Sequence, residues 1–157
     1  MAKGNEIIVS SEPRGVFMEG IVSGTPKPGT IMEMMTTAPV NGRFTYRAST
    51  RTTGAKGPTF VLLPDNLQGK LATDAYVTAT RCFMYSPVAG EQLNLLVADV
   101  SGTGDDVAIA DLFVVENTTG KIKANSSNTS APFQAMEAVT DPTADYLLWC
   151  TYLGNQA

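Results

Sequence analysis

The sequence predicts an all-β protein, a compact β-sandwich or barrel with an extended N-terminal arm and little helix. Three features carry that expectation. Across residues 76–152 short apolar runs alternate with turn-forming residues, the spacing of strands in an all-β domain. Over residues 1–30 proline and glycine recur too often for a helix. Around residues 43–47, Phe44 and Tyr46 fall on one side and Arg43, Thr45 and Arg47 on the other, the two-residue period of a half-buried strand.

In chain order, Ile7, Ile8 and Val9 form a short apolar run that Pro13 and Gly15 bring to an end. Residues 16–22 form a second run, closed by the turn cluster 23–29. Both runs suit edge strands, a segment laid on a neighbouring subunit's sheet edge, or a strand that closes the chain's own barrel. Residues 30–35 follow as a strand, in which Met32, Met34 and Met35 read as adaptable core packing. Asn41 and Gly42 mark a type I′ turn. Residues 48–58 have the composition of an exposed loop. Residues 59–63 are a continuous apolar strand, buried on both faces. Residues 67–74 connect, with at most a turn or two of helix.

The run 76–85 is expected as one long strand. Val77, Ala79, Phe83 and Tyr85 share one face; Tyr76, Thr78, Thr80, Cys82 and Met84 share the other. Arg81 interrupts the first set and reads as a side chain snorkelling at a rim. Further strands are expected at 93–97, 111–115, 121–123, 132–139 and 146–153. The last is apolar on both faces, which places it in the middle of a sheet or under another chain. Trp149 is expected in the core and Tyr152 nearer a rim. No 20–50-residue period repeats, which excludes a solenoid or propeller.

The chain has 157 residues, the size of one domain. At that length it buries about 68–70% of its unfolded surface, so it needs no staples to fold. Charged residues make up 17% of it, with Ser, Thr, Asn and Gly filling the gap. Net charge is −4 and the densest positive region, Arg43, Arg47, Arg51 and Lys56, is diluted by neutral residues. Nucleic-acid binding needs cations to neutralise phosphates, so that class is set aside. Cys82 and Cys150 each sit within a strand and read as free, buried thiols rather than a pair. Histidine is absent, which removes the commonest general base and metal ligand. No apolar run has signal-peptide length, and none approaches the roughly 18 residues of a membrane helix. Synthesis in the cytoplasm, without standard export and without a membrane partner, is the expectation. Sequons at Asn117, Asn125 and Asn128 then read as loop sequence.

The segment 99–106 is where chemistry would be sought first. An aspartic protease needs Asp followed directly by Ser or Thr and then Gly; Val100 intervenes after Asp99. Gly102 and Gly104 lack the third glycine, the lysine and the helix of a phosphate loop. Asp99, Asp105 and Asp106 lack the alternating spacing and final glutamate of an EF-hand. The expectation is a protein without catalytic residues, cofactor or metal.

The order of elements in residues 20–153 resembles bacteriophage capsid decoration (head cement) proteins. The likeness lies in Asp74 to Tyr76, the turn Ser86 to Glu91, the strand Leu93 to Val97, and Val107 to Leu112. It continues in Glu116 to Lys121, Phe133 to Val139 and Asp145 to Trp149, and more loosely in Pro28 to Ile31 and Val61 to Asp65. The resemblance implies a non-enzymatic structural virion protein that binds and stabilises the outer surface of the mature capsid. It implies a homotrimer with the major capsid protein as partner. It also implies an arm at residues 1–22 ahead of a single β domain at 23–157, with Ile7, Ile8, Val9, Val16 and Phe17 as candidate contacts to the capsid or a neighbouring subunit. The alternative readings are another virion part, such as a head fibre base or tail component, or a carbohydrate-binding β-sandwich that stacks sugars on exposed Trp149, Tyr85 or Tyr152.

Overall fold

The computed structural model describes residues 6–51, 58–98, 106–125, 131–142 and 145–154. The strands, in chain order, are β1 (Val16–Val22), β2 (Ile31–Met34), β3 (Thr45–Ala48), β4 (Phe60–Leu62) and β5 (Arg81–Ser86). They continue as β6 (Gln92–Leu96), β7 (Leu112–Val115), β8 (Ile122–Ala124), β9 (Phe133–Ala135) and β10 (Leu147–Tyr152). The helix described is a single 3-10 turn, Asn66–Gln68. The all-β expectation holds, and the architecture has both elements of the sandwich-or-barrel alternative. Strands β1-β3-β2-β4-β5 close into a barrel, and β6-β10-β9-β7-β8 form a second, five-stranded sheet.

Two apolar cores follow from strand alternation. Inside the barrel, Val22, Met32, Tyr46, Phe60, Leu62, Tyr76, Cys82 and Met84 pack together. Gly20 makes this packing fit: a Cβ there would lie 2.5 Å from the Tyr46 ring. The opposite face of three barrel strands supplies Ile31, Val61 and Tyr85 to the second core, where they meet Leu93, Leu95, Phe113, Ile122, Phe133, Leu148 and Cys150. Both thiols are buried, one in each core, and neither is in a disulfide. Burial pushes the Cys82 thiol up to about 12.

Strand β10 is central between β6 and β9, as its two apolar faces require. The assignment along it is reversed, however. Tyr152 is buried, with its ring 5.6 Å from Phe133, while Trp149 is only partly buried. Tyr152 pairs with Phe133 and shares the inward phase of Leu148 and Cys150, so the period of two puts Trp149 on the other face. The long strand at 76–85 is also corrected. Only Arg81–Ser86 is strand, because Ala79 adopts φ 63°, a left-handed conformation that interrupts an extended chain. Arg81 lies 4.9 Å over the Phe83 ring, a stacked cation rather than a free one. The β9 strand is shorter than expected, at Phe133–Ala135. Asn41 and Gly42 form the expected turn, both with positive φ, 51° and 76°, between the paired residues Val40 and Arg43. Phe44 falls before β3 and is exposed, so only Tyr46 of that pair enters the core.

Candidate functional site

The candidate site is the N-terminal segment and the surface to which it leads. Strand β6 is an edge of the second sheet, and an open edge presents unpaired N–H and C=O groups. Near its end the edge is closed by β8, through a parallel bridge between Val97 and Ile122 and an Ala98 N–H donated to Ile122 O at 2.8 Å. The rest is covered by the chain's own start. Ile8 bridges Leu93, Asn94 N donates to Ile7 O at 2.7 Å, and Val9 N donates to Gln92 O at 2.9 Å. Side chains fasten the same strip: Asn94 Nδ2 donates to Glu6 O at 2.7 Å, and Gln92 N donates to Ser10 Oγ at 2.8 Å. Residues 6–10 thus act as an added strand.

Past this strip, Ser11, Glu12, Pro13 and Arg14 are exposed, and Ser11, Glu12 and Arg14 rim an open trough of about 510 Å³. The chain is anchored again at Glu91. That carboxylate is 2% exposed. Its Oε1 accepts from Arg14 N at 2.5 Å, Gly15 N at 3.3 Å and Tyr85 Oη at 2.6 Å, and its Oε2 from Val88 N at 2.8 Å. Burial pushes the Glu91 carboxyl up, but the bonds from Tyr85, Arg14, Val88 and Gly15 outweigh it and leave its pKa lowered. Burial, and then the bond to Glu91, push the Tyr85 phenol up to about 12. Gly15 is required at the anchor, since a Cβ would sit 2.1 Å from Ser86 O.

Beyond the anchor, Val16 and Phe17 open onto solvent, 62% and 59% exposed. The strand registers explain why an aromatic stands there. Phe17 pairs with Tyr85, Tyr85 with Val61, and Val61 with Ile31, which makes one apolar row across four barrel strands. Three members of the row are buried under the second sheet, and Phe17, with its ring 4.9 Å from that of Tyr85, is the uncovered end.

Of the five contacts named from the sequence, Ile7 is therefore buried in the chain's own core, and Ile8 packs against that core. Val9 is half-buried beside Gln92. Val16 and Phe17 are exposed and belong to barrel strand β1 rather than to an arm. Glu91 escaped the sequence reading. Its signal was available: between Arg81 and Asp99 it is the only charged residue, set between two apolar strands. In the 99–106 segment, Asp99 and Asp105 lie outside the described residues, and Asp106 Oδ1 accepts from Asp141 N at 3.0 Å. Among the described residues, no group of three or more His, Cys, Asp or Glu is placed to hold a metal ion, and no helix is long and apolar enough to cross a membrane.

No protein-family model matches the sequence, and no curated protein matches it either. The fold is similar to that of the head fibre gp8.5 N base in bacteriophage phi29, with a TM-score of 0.55 at 6% sequence identity. The likeness takes in 90% of this chain and 96% of that one, so it is a likeness of the whole barrel-and-sheet arrangement rather than of one hairpin.

Proposed function

We propose that this protein is a structural, non-enzymatic component of a phage virion that binds the outer surface of the mature capsid and stabilises it. The observation that carries the reading is the fold match to a phage head fibre base over nearly the full length of both chains. The sequence resemblance to capsid decoration proteins points the same way. Phe17 gives the reading a contact: an exposed aromatic on strand β1, at the end of a row that is otherwise buried, with exposed Val16 next to it in the chain. Large apolar side chains so placed are the kind that carry interface energy. The partner is the major capsid protein, and three copies bind together, so that modest contacts multiply through avidity.

The test is co-sedimentation with immature and with expanded capsids from the same source. It compares the full chain, a truncation lacking residues 1–10, and the double variant Val16→Asp, Phe17→Asp. Saturable binding to expanded shells, lost in the double variant, is the expected result. Absence of binding to either shell overturns the reading. The fold likeness itself favours a second virion role, the base of a head fibre. That role expects binding at a few sites per shell, where decoration expects many. The carbohydrate reading loses its platform, because Tyr85 and Tyr152 are buried and Trp149 is partly so.

A further inference from the structure

We propose that the cleft between the barrel and the second sheet, around Lys27, Lys121 and Asp145, is a binding site for a small oxyanion, a carboxylate or phosphate. Three segments converge there: the connection after β1, the turn between β7 and β8, and the residue that leads into β10. They line a half-open cleft of about 290 Å³, to which Leu96 also contributes. The walls are fixed in place. Gly120, at φ 67°, lies so close to the barrel that a Cβ would be 2.4 Å from Ile31 O, and Gly120 O accepts from Ile31 N at 2.8 Å. On the other side Gly29, at φ 86°, approaches Leu96 N to 3.2 Å by the same measure. Pre-formed cavities with a few convergent polar groups are where small ligands bind.

The charges in the cleft do not balance. Lys27 Nζ donates to Asp145 Oδ2 at 2.7 Å, and Lys121 Nζ donates to Asp145 Oδ1 at 2.8 Å. Two ammonium groups share one carboxylate, so the cleft keeps a positive charge in a chain whose net charge is −4. Each ammonium carries three N–H donors and spends one on Asp145, so further donors remain for a ligand. Ser23 and Thr25 add hydroxyls to the lining. Asp145 itself stands at φ 68°, a left-handed conformation that aspartate adopts more readily than most residues with a side chain. The carboxylate works as a placeholder: it aims both ammonium groups into the cavity and competes with the anion for them. Two sources share this chemistry, a free ion and an acidic side chain of a docked protein.

The experiment follows backbone amide shifts of the full chain in two-dimensional NMR during titration with inorganic phosphate, acetate and a glutamate-containing peptide. Saturable shifts are expected at Thr25, Lys27, Gly120 and Lys121, with little change at the surface lysines Lys70 and Lys123. Lys27→Met and Lys121→Met each weaken the response, by about fivefold for a partly exposed charge contact. Asp145→Asn tightens it, because the competing carboxylate is gone. That gain separates a binding site from a salt bridge whose only role is structural. Stronger binding of the peptide than of acetate assigns the site to a docked acidic side chain, and equal binding assigns it to the free ion. Absence of a saturable response to all three probes, or a response that both lysine variants leave unchanged, overturns the proposal.

Discussion

Glu91 keeps its charge where water is excluded, because four donors converge on it: Tyr85 Oη and the N–H groups of Arg14, Gly15 and Val88. Bonds to a buried charged group each contribute about 1.5–3 kcal/mol, and a donor left unpaired costs a similar amount. Glu91→Gln turns an amide N–H₂ toward donors, so it is expected to cost roughly 2 kcal/mol in denaturant unfolding. Retention of full stability would show that the anchor is not under load. The pH dependence follows from the direction of the shift. The folded-state pKa of Glu91 is lowered below 4.5, as are those of Glu33 and Asp145 below their ordinary values. The folded state therefore favours the charged forms. That stability is fully present above the ordinary carboxylate pKa and is lost as pH falls through the folded values. Melting temperatures measured downward from neutral pH should fall in acid, and Glu91→Gln should flatten part of that fall. In the barrel, Gly20→Ala places a methyl 2.5 Å from the Tyr46 ring and should cost about 1–3 kcal/mol through overpacking.

At the scale of elements, the strip of residues 6–10 shows how an edge strand is managed. Its partner among the described residues is β6, and it supplies the groups that Gln92 and Asn94 would otherwise leave open. Its grip comes from one buried side chain, Ile7, and a short run of hydrogen bonds. Ile7→Asp buries a charge without a partner and should release the strip. Faster amide exchange at Gln92 and Asn94, with β10 still protected, is the expected outcome of a hydrogen-exchange measurement. The truncation lacking residues 1–10 should expose the same edge and self-associate in size-exclusion chromatography. Unchanged exchange and a monodisperse truncation would show that β6 needs no cover. Strand β10 illustrates the converse: with β6 and β9 on either side both of its edges are paired and it needs no strap, and its inward face of Leu148, Cys150 and Tyr152 is buried.

At the scale of the molecule, the barrel and the sheet meet through one wall, and Phe17 marks where that covered wall runs out. The double variant Val16→Asp, Phe17→Asp gives up the Phe17–Tyr85 ring contact and puts aspartates into a strand, but it opens no buried site, so it should stay folded at a cost of about 1–2 kcal/mol. Its binding to expanded capsids should nevertheless be lost, which separates docking from folding. Most strands were legible along the chain because alternation and turn chemistry are local: Asn41 and Gly42 set their own turn, and the two-faced apolar pattern of β10 announced a central strand. By itself the sequence determined the all-β class, the approximate strand positions, the buried thiols and the apolar character of Ile7, Ile8, Val9, Val16 and Phe17. Only the tertiary structure decided that Val16–Val22 is a barrel strand, that Ile7 turns inward while Phe17 faces solvent, and that Tyr152 rather than Trp149 is buried. It also decided that Glu91 meets Arg14 and that Asp145 meets both Lys27 and Lys121. The physical reason is range. Alternation fixes which side of a strand a residue takes, whereas which side is covered depends on strand pairings and on contacts across 77 residues for Arg14 and Glu91.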